Sequence, residues 1–304
     1  MIKQIMMSVI LSVTASIFAV QGADGRWGFM NDSGQVVVPM VFHEVRDFNQ
    51  FGVAIVRAAE GYGIVNAAGN AHLPMLHYHI SDFDDHARAI IGNGRHFGIV
   101  DPWGNMISPM IYDRILPFQN GFAQVTVGGQ HGLVDLWGNL VVDATHTDND
   151  IRILRTLLNI PYDQRPEAVE KAEWFSDLRQ SLPRNTPIHV LDLLTGNTYY
   201  VASFSNGNHA DVEPLTILDT LLLFESASGQ SWNGRPVWIY VNGRTIAAAV
   251  HSMPHDVSTI NDNGMDGHIC LHFYGSITHN TRQPVYAREI EMAYRAFELM
   301  QLLP

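Results

Sequence analysis

A repeat of about 35 residues is the feature that most constrains how this 304-residue chain can fold. Each of four similar units opens with an aromatic residue or histidine followed by glycine, at Trp27-Gly28, Tyr62-Gly63, Phe97-Gly98 and His131-Gly132. A second glycine follows six residues after the first, and the first three units then carry a proline, at Pro39, Pro74 and Pro109. A fixed period of this length indicates a repeat architecture, in which stacked neighbours bury a common core.

Each unit has the sequence pattern of short β-strands. Residues 28–30 lead into the turn Asn31-Asp32-Ser33-Gly34, and Val36-Val37-Val38 closes a hairpin that we expect Pro39 to end. An alternating piece closes the unit, such as Val53-Ala54-Ile55-Val56. We therefore predict a β-rich repeat array of about four units over residues 24–144, with the last unit cut short near Asp143.

These units resemble the WG-repeat (KWG) family over about residues 26–143. The first unit keeps the Trp-Gly pair, while Tyr62, Phe97 and His131 stand at the tryptophan position of the others. The resemblance implies a β-rich binding or spacer module with no established common ligand. For this chain we expect the repeats to position the C-terminal domain against a protein partner or a wall polymer.

The first 23 residues have the layout of a secretory signal peptide. Lys3 is the only charged residue before Asp24, the stretch 5–20 is apolar or small, and Gly22 or Ala23 offers a cleavage point. A membrane anchor is the alternative, but the apolar run is shorter than the roughly 20 residues of a spanning helix. We predict a secreted, periplasmic or cell-envelope protein with no transmembrane segment after cleavage.

The formal net charge of −12 argues against a nucleic-acid partner, because phosphate binding needs a basic surface. After the repeats, residues 145–185 read as a helical linker, with helical spacing over 151–159 and 167–182. Residues 186–304 read as a mixed α+β domain. It contains two predicted hairpins and predicted helices over 213–224 and 288–303.

The C-terminal domain concentrates residues that carry chemistry. Cys270 is the only cysteine, so it has no internal disulfide partner. A cysteine nucleophile needs a base beside it and donors for an oxyanion. On a strand, His268 and His272 share the face of Cys270, and a strand–turn–strand path would return His255 to it. We predict Cys270 as the nucleophile and His255 as the base. We predict His268 as the third catalytic residue, with either His268 or Asp211 orienting the site. The predicted supporting residues are His209, Asp211, His272 and Ser276, with Ser276 as a donor to the oxyanion.

This block resembles the catalytic core of the L,D-transpeptidase family. His255 takes the place of the upstream histidine, His268 that of the motif histidine, and Cys270 that of the nucleophile, with Leu271 as the apolar residue after it. The chain departs from the family motif at Asp256, Gly267, Ile269 and His272, which stand for Gly, Ser, Gly and Arg. The resemblance implies acyl transfer or hydrolysis on peptidoglycan peptides without a cofactor, and hence a cell-wall peptide or polymer as partner.

Two other functions remain open at this level. The first is a zinc-dependent cell-wall hydrolase with His209, Asp211 and His255 as ligands, since histidine and aspartate are zinc ligands in sites with an open position. The second is a non-catalytic binding protein in which Cys270 is a small core residue. We expect His189 and His251 to be structural.

Overall fold

The computed structural model describes residues 16–278 and 284–303. Over the described residues, the chain divides into two compact units. One is formed by residues up to 129 together with 134–140, and the other by 130–133 together with the residues from 141 onwards. Most of the proposed leader, 1–15, lies outside the described residues, while Ile17–Gln21 form strand β1 of the first sheet. Cleavage of the leader stays a prediction. No helix within the described ranges has the length and apolar character needed to cross a bilayer.

The repeats form four small antiparallel sheets, as predicted. Each of the last three combines the closing strand of one sequence unit with the opening hairpin of the next. The sheet orders are β1-β2-β3, β4-β5-β6-β7, β11-β10-β9-β8 and β12-β13-β14-β15. The strands are β1 Ile17–Gln21, β2 Trp27–Asn31, β3 Val36–Phe42, β4 Glu44–Val45, β5 Val53–Arg57, β6 Tyr62–Asn66, β7 Ala71–His77, β8 His79–Ile80, β9 Ala89–Gly92, β10 Phe97–Val100, β11 Met106–Tyr112, β12 Arg114–Ile115, β13 Phe122–Val127, β14 Gln130–Asp135 and β15 Leu140–His146.

The prediction that the proline ends its strand is wrong, because β3 runs through Pro39 to Phe42. The strand lies at the edge of its sheet, and its register with β2 shifts on either side of Phe29. Proline has no N–H to donate, but at an irregular position on an edge strand none is needed for the hydrogen bonds between the strands. Opposite it, a side chain on Gly28 would meet the Pro39 carbonyl at 2.7 Å, so glycine is required there.

A turn motif with the same period explains why the hairpins recur. Asn31, Asn66, Asp101 and Asp135 each accept two backbone N–H bonds through Oδ1, from the residues two and four positions later. This side-chain turn brings the second glycine of each unit to a positive φ. The glycines of this turn are evident from their period in the sequence, whereas the role of the Asn and Asp side chains as acceptors emerges only from the structure.

The core of the C-terminal unit is a closed six-stranded antiparallel barrel with the order β16-β17-β18-β21-β20-β19. Asn242 and Gly243, at positive φ, form the predicted two-residue turn between β19 and β20. Valine, isoleucine and leucine side chains fill the barrel interior. The strands are β16 Pro187–Asp192, β17 Thr198–Asn206, β18 Ala210–Pro214, β19 Arg235–Val241, β20 Arg244–Val250 and β21 Ile269–His272.

The connector is only partly helical. Helix α1, Asp148–Leu158, begins at a capping box of Thr147 and Asp150. The helix predicted over 167–182 is absent, and a π-helical turn, Trp174–Leu178, followed by α2, Arg179–Ser181, occupies its end. Because buried Trp174 stacks on Phe273, this segment is part of the barrel unit and not a separate linker.

Two further helices complete the unit. Helix α3 spans Ile217–Ala227, and α4 spans Ala287–Met300. The predicted start of α3 at Glu213 is wrong, because Glu213 lies in β18 and the capping box of Thr216 and Asp219 fixes the first turn after it.

Candidate functional site

Strand β21 places Cys270 in the wall of the barrel. The strand pairs with β18 on one side, where Cys270 lies opposite Asp211, and with β20 on the other. Phe273 follows directly, and its ring stacks on Trp174 at 5.3 Å between centroids. The nucleophile candidate therefore lies on a strand that is fixed from both sides.

The loop between β20 and β21 returns His255 to the cysteine. The backbones of His255 and His268 exchange two hydrogen bonds, of 3.0 and 2.9 Å. Buried Glu213 fixes the loop further along, since its carboxylate accepts bonds from the amides of Thr259 and Ile260. Glu213 thus has a structural role in positioning the loop.

His255 and Cys270 lie within hydrogen-bond reach. The distance from Cys270 Sγ to His255 Nε2 is 3.6 Å, and His255 Nδ1 lies 3.1 Å from the carbonyl oxygen of Met253. A carbonyl only accepts, so Nδ1 carries a proton and Nε2 of the neutral ring faces the sulfur as an acceptor. The carbonyl of Met253 orients the base, whereas the sequence predicts His268 or Asp211 in this role.

Burial keeps this pair uncharged. It raises the pKa of the Cys270 thiol far above its usual range, and the carboxylate of Asp211 raises it further. Burial also lowers the pKa of His255, and the neighbouring His268 acts in the same direction. The resting site is therefore a thiol beside a neutral imidazole, and not a thiolate–imidazolium pair.

Two ring nitrogens and the sulfur of Cys270 surround the carboxylate of Asp211. Its Oδ1 lies 3.2 Å from His209 Nε2, 3.7 Å from His268 Nε2 and 3.9 Å from Cys270 Sγ. Burial opposes ionisation, but hydrogen bonds from His209 and Ser205 outweigh it and lower the pKa of Asp211 to about 2. Asp211 is thus a buried carboxylate directly behind the nucleophile.

A cavity of about 430 Å³ opens beside Cys270 and His255. Two aromatic side chains line it, half-exposed Trp232 and Tyr286, whose hydroxyl donates to the Trp232 carbonyl at 2.5 Å. This volume is in the range of small-ligand sites. The lining residues are His209, Trp232, His251, His255, Asp256, Cys270, His272, Thr278, Val285 and Tyr286.

The other predicted supporting residues divide into two groups. His209 and His272 line the cavity with ring centroids 4.5 Å apart. Ser276 does not line it, because its buried hydroxyl accepts from the amide of Phe273 and contacts His272 Nδ1 at 3.3 Å. The structure therefore gives Ser276 a role in closing the turn after β21, and not one in binding an oxyanion.

The sequence did not lead us to place His251, the Met253 carbonyl or Tyr286 in the site. His251, which we expected to be structural, lines the cavity, and burial followed by the nearby His255 lowers its pKa to about 3. Its position four residues before His255 was the one feature of the sequence that pointed to a place in the same site. The Met253 carbonyl and Tyr286 could not be found in this way, because the first is a backbone group and the second lies outside the histidine-rich segments of the sequence.

Four sets of three side chains in the described part of the chain hold ligand atoms within 4.8 Å of one another. The predicted zinc ligands His209, Asp211 and His255 are not one of these sets. The structure distributes them around Cys270, which belongs to three of the four. The sets are His209-Cys270-His272, His251-His255-Cys270, Asp211-His268-Cys270 and His255-Asp256-His268.

Comparison with known proteins supports the repeats. The family model described as WG containing repeat matches residues 27–61 and 97–130, which are the first and third units. The second and fourth units form sheets of similar strand arrangement. The prediction of WG repeats in the N-terminal half is thereby confirmed. A search of curated proteins gave no significant match.

Proposed function

We propose that the C-terminal unit is a cysteine acyltransferase or hydrolase that acts on peptidoglycan peptides, in a protein exported to the cell envelope. The observation that carries this proposal is the 3.6 Å separation of Cys270 Sγ and His255 Nε2 at the wall of a cavity. The resemblance of the block around His255 and Cys270 to the L,D-transpeptidase motif supports the choice of substrate.

The neutral pair suits general-base catalysis. Cys270 attacks the carbonyl carbon of a substrate amide while its proton passes to His255 Nε2. The C–N bond then breaks, His255 returns the proton to the leaving amine, and a thioester remains on Cys270. An acceptor amine, or water in hydrolysis, attacks the thioester, and His255 moves the incoming proton to the departing sulfur.

His251 is the best candidate for stabilising the oxyanion. Its Nδ1 accepts the amide N–H of Met253 at 3.3 Å, so the proton of the neutral ring lies on Nε2. Burial holds the ring neutral, and it lines the cavity beside Cys270. A neutral N–H donor directed at the substrate oxygen stabilises the negative charge that develops there in the transition state.

The cavity walls indicate the kind of substrate. Trp232 and Tyr286 offer aromatic surface, while Asp256 places a carboxylate next to His255. His272 lines the cavity at the position where the family motif has arginine. A short peptide segment with a neutral or amino-bearing end fits these walls. The repeats would hold this unit against a wall polymer or a protein partner.

Intact mass spectrometry tests the reaction. The full chain, in buffer with EDTA, is incubated with muropeptides released from peptidoglycan, and the mass of the acylated protein is followed over time. We expect a thioester on Cys270, no adduct on Cys270→Ala, and acylation slowed by roughly 10²- to 10⁴-fold in His255→Gln. His189→Gln is the matched control, because this ring stacks between Tyr200 and Tyr240 outside the cavity.

Undiminished turnover of muropeptides by Cys270→Ala would rule out the thiol mechanism. Binding of muropeptides without any adduct or turnover would favour the non-catalytic alternative, in which the cavity only recognises a cell-wall peptide.

A further inference from the structure

Three histidine rings of the site are each oriented by a hydrogen bond to a backbone carbonyl. The Nδ1 atoms of His209, His255 and His268 lie 2.8, 3.1 and 3.0 Å from backbone carbonyl oxygens. A carbonyl oxygen only accepts, so each Nδ1 carries a proton, and Nε2 is left as the ring nitrogen that can bind a metal ion. Metal-binding histidines in proteins are fixed in this way, since a bond from the second nitrogen sets the tautomer and the ring direction.

The Nε2 atom of His268 meets two further ligand atoms. It lies 3.7 Å from Asp211 Oδ1, the same oxygen lies 3.9 Å from Cys270 Sγ, and all three atoms are within 4.8 Å of one another. Bonds of about 2.0–2.3 Å to a tetrahedral zinc ion place neighbouring ligand atoms roughly 3.3–3.8 Å apart. Only a small inward movement of the three side chains is needed to bind one ion.

We propose that Asp211, His268 and Cys270 form a binding site for a divalent ion of zinc-like preference, and that its occupation blocks the nucleophile. Nitrogen, oxygen and sulfur ligands together suit Zn²⁺ and do not suit Mg²⁺ or Ca²⁺. On binding, the thiol proton is released to solvent and a metal–sulfur bond forms. The sulfur lone pair is then no longer available to attack a carbonyl.

The alternative ligand sets fit less well. His251 accepts a backbone N–H through Nδ1, so its Nε2 is protonated and a change of tautomer would cost that hydrogen bond. The set with Asp256 uses an exposed carboxylate and lacks the sulfur. The set with His272 has no carboxylate, and its other ring, His209, already faces Asp211 at 3.2 Å.

Direct metal binding tests the site without reference to the reaction. Zn²⁺ is titrated into the metal-free full chain in competition with a chromophoric chelator. Alkylation of Cys270 by iodoacetamide is followed by mass spectrometry in the same samples. We expect one Zn²⁺ per chain, protection of Cys270 while the ion is bound, and recovery of labelling after EDTA.

Variants identify the ligands. Cys270→Ser, Asp211→Asn and His268→Ala should each weaken Zn²⁺ binding by about 10-fold or more. His189→Ala, at a ring outside the cluster, should bind as the parent chain does. Circular dichroism checks the fold, and His268→Gln replaces His268→Ala if that variant does not fold.

Two results would overturn the assignment: no protection of Cys270 by Zn²⁺, or unchanged affinity in a folded His268 variant, above all if His272→Ala loses binding. Neither of them bears on the proposed acyl transfer, which is measured in the presence of EDTA. Failure of acylation by the metal-free chain would conversely leave the metal site standing.

Discussion

The sulfur of Cys270 lies 3.6 Å from Nε2 of His255, and both groups are held uncharged by burial. The site therefore differs from cysteine enzymes whose nucleophile is a thiolate in the resting state. Here a thiolate on Cys270 would be destabilised by the neighbouring carboxylate of Asp211.

The first prediction concerns the pH dependence of thiol reactivity. Since the pKa of Cys270 is raised, the thiolate fraction is small at neutral pH and keeps growing as the pH rises. The rate of iodoacetamide labelling should therefore increase continuously from pH 7 to pH 10. In urea the same thiol should titrate near its ordinary value of about 8.5. A plateau of the rate between pH 6 and 8 in the folded protein would instead reveal a preformed ion pair.

The second prediction concerns Gly267, which fixes the backbone of the base. At φ +101°, a Cβ on this residue would lie 2.8 Å from both the nitrogen and the oxygen of His255. Gly267→Ala should displace His255 and slow acylation by roughly 100-fold, the effect of a misplacement of about 1 Å.

Gly264 of the same loop supplies the matched control. It also has a positive φ, +76°, but a Cβ there would make only ordinary contacts with Ile217, at 3.5 Å and beyond. Gly264→Ala should keep nearly the parent rate. Equal losses in the two variants would show that loop strain, and not the position of His255, controls the rate.

The third prediction concerns the second glycine of the repeats. A Cβ on Gly104 would lie 2.1 Å from the backbone oxygen of His72 in the preceding repeat, whereas a Cβ on Gly34 would meet nothing within 4 Å. Both have positive φ. Gly34→Ala should cost only the strain of that conformation, about 1–2 kcal/mol.

Gly104→Ala should lower the free energy of unfolding by about 3 kcal/mol or more, because a backbone oxygen cannot move aside without separating two repeats. Urea unfolding of the full chain with hydrogen exchange over β7 measures both effects. A Gly104 variant as stable as the Gly34 variant would contradict the close packing of successive turns.

The fourth prediction concerns His251. Its pKa in the folded chain is about 3, below the ordinary 6.5, so the folded state favours the neutral ring. The unfolded chain then binds more protons between these values. The contribution of His251 to the free energy of unfolding is therefore fully present above pH 6.5. It is lost as the pH falls towards 3, at up to about 1.4 kcal/mol per pH unit.

His251→Asn should flatten the dependence of unfolding free energy on pH within this window. The lowered pKa of His255 acts in the same direction, so His255→Gln serves for comparison. If His251→Asn loses stability on acidification as steeply as the parent chain, the ring is not held neutral by its site.

Local patterns in the sequence predicted much of the fold. The period of Gly28, Gly63 and Gly98 located the repeats, and Asn242-Gly243 located a barrel hairpin, because turn geometry depends on a few adjacent residues. The predicted connector helix failed at Trp174, whose ring is buried against Phe273 about a hundred residues later. Packing against the barrel overrode helical spacing in that segment.

The sequence by itself determined the repeat architecture and the residue types available for chemistry, among them one cysteine and a group of histidines around it. Only the tertiary structure decided that His255 faces Cys270, that the Met253 carbonyl orients it, that His251 joins the cavity and that Ser276 does not. The reason is that turns and periods are set by neighbouring residues. The distance between a sulfur and a ring nitrogen instead depends on how the barrel closes and where its loops are anchored.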